Sequence, residues 1–261
     1  MAKTILHTQN LSIGYRNKKH LQPIASLIDI DLKEGKLIAL IGANGIGKST
    51  LLRTLTGIQE PLSGSVFLGQ RPLENYSQTA LAKQLSVVLT EKLPPSNLTV
   101  FELVALGRQP YTNWIGTLSP DDLTKTNAVM ALTQIENFAS KKHFEISDGQ
   151  LQKVLIARAL AQDTPLIILD EPTTHLDLLH KVSLFRLLRK LTRETGKCIL
   201  FSTHDIDLAM ELADEMIVMT AQQTFQDSPC VLIEKGVFNH LFADEHLSFD
   251  AKKGKFVFKN L

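Results

Sequence analysis

At 261 residues and 29.0 kDa, the chain is long enough for one large domain or two small ones, at roughly 100–200 residues per domain. It can bury a sizeable core without disulfides or metals. With 28 Lys and Arg against 27 Asp and Glu, it is no broadly basic coat, and no nucleic-acid partner is expected. Cys198 and Cys230 give neither a disulfide framework nor a zinc spacing. No apolar run approaches the roughly 20 residues of a membrane span. The first ten residues, with one Lys and no long apolar block, predict no signal peptide. Any membrane role is therefore expected to come through a partner.

In chain order, residues 4–16 alternate apolar and polar positions and read as a strand, with Gly14 bending the chain before Tyr15. Residues 24–32 alternate again, and 33–36 make a turn. Residues 37–41 are continuously apolar, as in a strand buried on both faces. A glycine-rich loop leads into a helix over 49–56 ended by Gly57, then a turn over 61–64 and a short strand over 65–68. Helical patterns follow at 74–83, 100–107, 121–138 and 150–161, with a strand at 85–89 and a loop opened by Pro94 and Pro95. Next come a strand at 166–169, a helix at 178–195 stopped by Gly196, a strand at 198–202, a helix at 206–213 and a strand at 216–219. Short apolar strands alternating with helices predict an α/β fold with a largely parallel sheet. The tail from about 221 to 261 is less regular and carries Lys252, Lys253 and Lys255.

Gly42-Ala43-Asn44-Gly45-Ile46-Gly47-Lys48-Ser49 fits G-x-x-x-x-G-K-[ST] between a predicted strand and a predicted helix. Gly42, Gly45 and Gly47 let the backbone wrap a phosphate with its N–H groups, and the helix N-terminus favours anions. Asn44 and Thr50 complete this nucleotide-binding set. Lys48 can reach the β- and γ-phosphates, and Ser49 can offer its hydroxyl to Mg²⁺. A second apolar strand, 166–169, ends in Asp170-Glu171, where a phosphate-loop protein carries its metal-binding acid. Asp170 is expected to hold Mg²⁺ and Glu171 to polarise the attacking water.

Ile146-Ser147-Asp148-Gly149-Gln150 precedes the helix at 150–161 and resembles the L-S-G-G-Q signature of ATP-binding cassette (ABC) ATPases. Pro172-Thr173-Thr174-His175-Leu176-Asp177 is similar to that family's D-loop, and Ser202-Thr203-His204-Asp205 to its switch-histidine motif. Tyr15 stands where the family has an aromatic that stacks on adenine. The resemblance runs from about residue 4 to about residue 220, with the motifs in the family's order. It implies a P-loop NTPase (RecA-like) core with an antiparallel β subdomain and a helical signature subdomain inserted at about 92–160. The cassette is then 1–220 and 221–261 a short C-terminal extension. It also implies ATP and Mg²⁺ as cofactors and a homodimer that sandwiches two ATP molecules. One chain supplies Lys48, Ser49, Asp170 and the catalytic Glu171 and His204. The other supplies Ser147 and Gly149 at the γ-phosphate, with Gln150 beside them in the nucleotide-binding set and Asp177 communicating across the interface.

Two positions depart from the family pattern. Asp148 replaces a glycine of the signature and is expected to point away from the phosphate, leaving the contact to Ser147 and Gly149. The glutamine that the family carries after the strand at 85–89 is absent. Thr90-Glu91-Lys92 stands there, and Glu91 becomes a candidate Mg²⁺ ligand. His175 and His180 have helix-like separation without further ligands and read as non-metal.

Residues 98–108 and 159–165 resemble the ATPase subunits of bacterial importers for iron(III)-siderophores, haem and cobalamin. The segment 109–122, with Pro110, Tyr111, Trp114 and Gly116, is similar to an extension of those subunits. This implies integral membrane permease subunits met by the helical region around 92–122. It also implies an extracytoplasmic substrate-binding protein and a peripheral position on the cytoplasmic face of the inner membrane. Two other readings stay open: the ATPase of another ABC importer, for metal ions or amino acids, and a soluble ABC ATPase outside transport.

Overall fold

The computed structural model describes residues 2–17, 20–90, 93, 96–174, 176–241, 247–251 and 254–258. Strands β1 (Thr4–Asn17), β2 (His20–Ile28) and β3 (Asp31–Lys33) come first, then β4 (Leu37–Gly42) and helix α1 (Lys48–Leu55), then β5 (Ser63–Leu68) and β6 (Arg71–Pro72). β1 pairs antiparallel with β2, β3 and β5, and β5 with β6. The single strand expected over 24–32 is two. Leu27 takes φ 55, and β2 ends one residue later. The Thr8 hydroxyl donates to Ile28 O at 2.7 Å and accepts from Ile30 N at 3.0 Å, which stitches the break to β1.

Helix α2 (Gln78–Ala82) and strand β7 (Leu85–Val88) lead into a helical insertion of α3 (Val100–Ala105), α4 (Pro120–Leu132) and α5 (Asp148–Ala161). The pattern at 74–83 resolves into a 3₁₀ turn at Leu73–Asn75 and then α2, because Ser77 is extended and caps α2 by accepting from Ala80 N. The helix expected over 121–138 stops at Leu132: Gln134 adopts φ 58, and a 3₁₀ turn at Glu136–Phe138 follows. These helices bury their own cluster, Val100, Leu103, Val104, Met130, Ile135, Val154, Ala157 and Ala161.

The chain then alternates β8 (Leu166–Leu169), α6 (Leu178–Thr195), β9 (Cys198–Ser202), α7 (Ile206–Leu212) and β10 (Glu215–Met219). The tail is more regular than its sequence suggests: β11 (Thr224–Asp227), α8 (Pro229–Glu234) and a hairpin of β12 (Leu247–Asp250) with β13 (Lys255–Phe258). Leu232, Phe238 and Phe249 from this segment enter the main core. Lys252 and Lys253 lie outside the described residues.

The central sheet has the order β11-β10-β4-β9-β8-β7, parallel except for β11. Every residue of β4, β8 and β9 is buried, which explains their continuous apolar runs. Successive side chains go to opposite faces. Ala39, Ile41, Ile167, Leu169 and Phe201 meet α5, α6 and α7, while Ile38, Leu40, Ile168 and Leu200 meet α1 and the antiparallel sheet. Because β4, β8 and β9 are parallel neighbours, the loops after all three leave from one edge of the sheet. Open α/β sheets bind ligands at that edge.

Candidate active site

The glycine-rich loop leaves β4 and closes on α1. Gly47 takes φ 111, and a Cβ there would lie 2.5 Å from Ile24 Cγ2, so only glycine fits against β2. Asn44 and Gly45 are exposed at the crest of the loop. Lys48 opens α1 and is 6% exposed. Its Nζ donates to Gly42 O at 2.9 Å and to Ala43 O at 3.3 Å, folding the ammonium back over the loop. Burial pushes the Lys48 ammonium below the usual lysine value, while the nearby charges of Glu171 and Asp170 pull it back up. Thr50 is buried with its hydroxyl 3.3 Å from that of Tyr15, whose side chain is half exposed. This ties the aromatic to the start of α1.

Asp170 follows β8 and is buried. Its carboxylate accepts from Ser202 Oγ at 2.7 Å, Thr90 Oγ1 at 3.1 Å and Ser49 Oγ at 3.4 Å. Glu171 takes φ 48, the left-handed region that non-glycine residues seldom occupy. The turn brings its Oε1 within 2.6 Å of His204 Nε2, at the end of the loop after β9. Thr174 Oγ1 donates to the other carboxylate oxygen at 3.2 Å, and Glu171 N donates to Ser202 Oγ at 2.8 Å. Ser49, Asp170, Glu171 and His204 therefore form one group connected through Ser202 and joined by Thr90 at Asp170, while Lys48, bonded to the loop carbonyls, lies near enough for the charges of Glu171 and Asp170 to act on it. Two members were not singled out from sequence: Ser202, which joins Asp170 to the Glu171 backbone, and Thr90, at the end of the β7 strand path. Glu91, the sequence candidate beside Thr90, lies outside the described residues, as does His175. A hydroxyl and a carboxylate beside a phosphate loop are hard oxygen donors, the kind Mg²⁺ takes together with phosphate oxygens and water.

The signature residues sit elsewhere. Ser147 is the N-cap of α5, which starts at Asp148, two residues before the expected start. Its Oγ accepts from Gln150 N at 3.3 Å, and Gln150 Oε1 accepts from Ser147 N at 3.0 Å, a reciprocal capping box. Asp148 is exposed in the first turn. Asp177 caps α6 without a reciprocal partner, accepting from His180 N at 2.9 Å, with His180 Nδ1 2.7 Å from the same oxygen. These two bonds hold the Asp177 carboxyl below its usual range. Among the described residues, no hydrogen bond or ion pair links Ser147, Gly149, Gln150 or Asp177 to the Lys48–Asp170–Glu171–His204 group.

The ABC transporter family model matches residues 26–174. The chain belongs to the ABC transporter family. Like other members it is an α/β P-loop cassette and an ATP hydrolase. This ABC protein is 37% identical over 214 residues to the iron(3+)-hydroxamate import ATP-binding protein FhuC of Bacillus subtilis (strain 168), covering 82% of this chain and 78% of FhuC. It superposes with TM-score 0.80 and 26% identity on a chain of an inward-facing ABC transporter described as of metal-chelate type, covering 94% of this chain and 90% of that one. A third likeness is the ATP-binding cassette MJ0796 in a dimeric post-hydrolysis state bound to ADP and Pi. There the TM-score is 0.73 and the identity 27%, over 86% of this chain and 99% of that one.

Proposed function

We propose that this chain is the ATP-hydrolysing subunit of an importer for iron(III) chelates. It works as a homodimer on the cytoplasmic face of the inner membrane, with integral permease subunits and an extracytoplasmic substrate-binding protein. The observation that carries the hydrolytic reading is the connected group at the ends of β4, β8 and β9. Lys48 exchanges the carbonyls of Gly42 and Ala43 for the β- and γ-phosphate oxygens. Loop and α1 backbone N–H groups surround the phosphates from Gly42 to Thr50, and the exposed ring of Tyr15 offers a face for the adenine. Ser49 and Asp170 hold Mg²⁺, with Ser202 and Thr90 fixing the carboxylate's orientation. The ion neutralises phosphate charge when bound. Glu171 orients the attacking water and takes up its proton, and His204 holds Glu171 in place beside the γ-phosphate.

Ser147, Gly149 and Gln150 complete the site of the opposing chain, with hydroxyl, backbone N–H and helix N-terminus directed at its γ-phosphate. Their separation from the Lys48 group supports this, as does the dimeric state of MJ0796. The importer reading is supported by the likeness to FhuC and to the metal-chelate transporter. The test is uptake by a strain lacking this protein. Ferric hydroxamate uptake is expected to stop, and a plasmid copy to restore it where a Lys48→Ala copy does not. Unchanged uptake of ferric chelates, haem and cobalamin together would refute the assignment.

A further inference from the structure

His180, in the first turn of α6, touches two segments at once. Its Nδ1 lies 2.7 Å from Asp177 Oδ1, and its backbone N–H donates to that oxygen at 2.9 Å. A carboxylate oxygen only accepts, so the proton of this bond sits on Nδ1. The ring also lies against Gly149: a Cβ built there would be 3.0 Å from His180 Cδ2, 3.6 Å from Cγ and 3.7 Å from Nε2. Gly149 is ordinary helical backbone in the first turn of α5, so the close approach of this ring, and not a left-handed φ, restricts its side chain. The ring thus spans from the capping carboxylate of one helix to the first turn of another.

We propose that His180 is a positioning residue for ATP hydrolysis, a brace that fixes the spacing between the signature turn at Ser147–Gly149 and the D-loop carboxylate of Asp177 within one chain. The proposal rests on the reading that both segments meet ATP bound by the opposing chain. The two N-termini carry like partial charge, and the bodies of both helices pack into the main core, so at the N-terminal ends it is the His180 ring, bonded to one and close against the other, that can set their spacing. Imidazole suits this task because it is planar and short. A displacement of Asp177 is passed to Gly149 with little slack, and transition-state contacts are sensitive to shifts of about 1 Å. Capping of α6 alone needs only the His180 backbone N–H, and it leaves the ring bond and the Gly149 contact unexplained.

Three variants of the full chain separate the parts. His180→Phe keeps a ring beside Gly149 and loses the bond to Asp177. His180→Asn keeps a short donor and loses the ring. His180→Ala loses both. The readouts are kcat, KM for ATP, binding of a fluorescent ATP analogue, and Tm. His180→Ala is expected to lower kcat about tenfold, with KM and analogue binding within about twofold and Tm near wild type. Phe and Asn should fall between Ala and wild type. Gly149→Ala should lower kcat less in the His180→Ala background than alone, because the ring it presses on is gone. A His180→Ala kcat within about twofold of wild type, with Lys48→Ala inactive, overturns the brace and leaves the hydrolytic reading standing. So does a loss of kcat confined to variants whose Tm falls. An active Lys48→Ala chain overturns the hydrolytic reading and the brace with it.

Discussion

Glu171 occupies a backbone region that costs an ordinary residue of order 1–3 kcal/mol, and the surrounding bonds account for its persistence. Its N–H is held by Ser202 Oγ and its carboxylate by His204 and Thr174. Glu171→Gln keeps the side chain's shape and removes the charge that takes up the water's proton. Its kcat for ATP should fall by about 10²–10⁴-fold, while binding of a fluorescent ATP analogue persists. A rate within tenfold of wild type would move the role of base elsewhere. Ser202→Ala acts differently: it leaves the buried Asp170 short of its 2.7 Å donor and Glu171 N without an acceptor. A loss of about 1–3 kcal/mol in denaturant melts is expected, together with a higher Mg²⁺ concentration for half-maximal ATPase. The residues that titrate or match a spacing, Lys48, Asp170, Glu171 and His204, were legible in sequence. Ser202 and Thr90 were not assigned a role. A hydroxyl has no charge to mark it, and theirs depends on the parallel placement of β7, β8 and β9.

At the scale of elements, the helical insertion is locked by a pair that no local pattern reveals. Arg108 is 2% exposed, donates through Nε to Asp122 Oδ1 at 2.8 Å and through Nη1 to Ala161 O at 2.7 Å, and lies 4.1 Å over the Tyr111 ring. Asp122 also closes a capping box on α4, accepting from the Ser119 hydroxyl at 2.7 Å and the Ser119 N–H at 2.9 Å. The Ser119 hydroxyl, then its backbone N–H, then Arg108 hold the Asp122 carboxyl at about 2. Its folded value lies below that of an unfolded aspartate, near 3.9. The stability it contributes is therefore present above pH 4 and is lost as the pH falls toward 2. Asp122→Asn leaves Arg108 buried without a counter-charge and should cost about 3–5 kcal/mol at neutral pH. The gap from wild type should narrow between pH 4 and pH 2 in denaturant melts; a gap independent of pH would show that the carboxylate's charge is not what matters. The insertion was legible as helices but not in its boundaries. Gln134 and Leu27 turn the chain through left-handed conformations without glycine, so no breaker marks the end of α4 or β2. The Arg108–Asp122 pair joins residues across the loop that carries Trp114, 95% exposed, a separation over which periodicity carries no information.

For the whole molecule, the question is whether one chain completes its own ATP site. The Lys48 group lies at the edge formed by β4, β8 and β9, while Ser147 lies on the capped end of α5 in the insertion. Ser147→Asp is a sharp probe because Asp caps helices as well as Ser but sets a second acidic group beside Asp148, where a γ-phosphate must approach. The variant should keep its Tm and its binding of a fluorescent ATP analogue, and lose ATPase activity. Lys48→Ala should lose activity on the opposite face of the site. If the sites are shared between chains, mixing the two inactive proteins assembles dimers with one intact site, the Lys48 group of the Ser147→Asp chain facing the signature of the Lys48→Ala chain. An equimolar mixture then holds half mixed dimers with one good site of two. With independent sites, about a quarter of the wild-type rate should return, as expected for an interface in which each copy contributes to the other. If each chain completes its own site, neither partner can supply what the other lacks and the mixture stays inactive. That result would reject a shared site whose two halves work independently of each other.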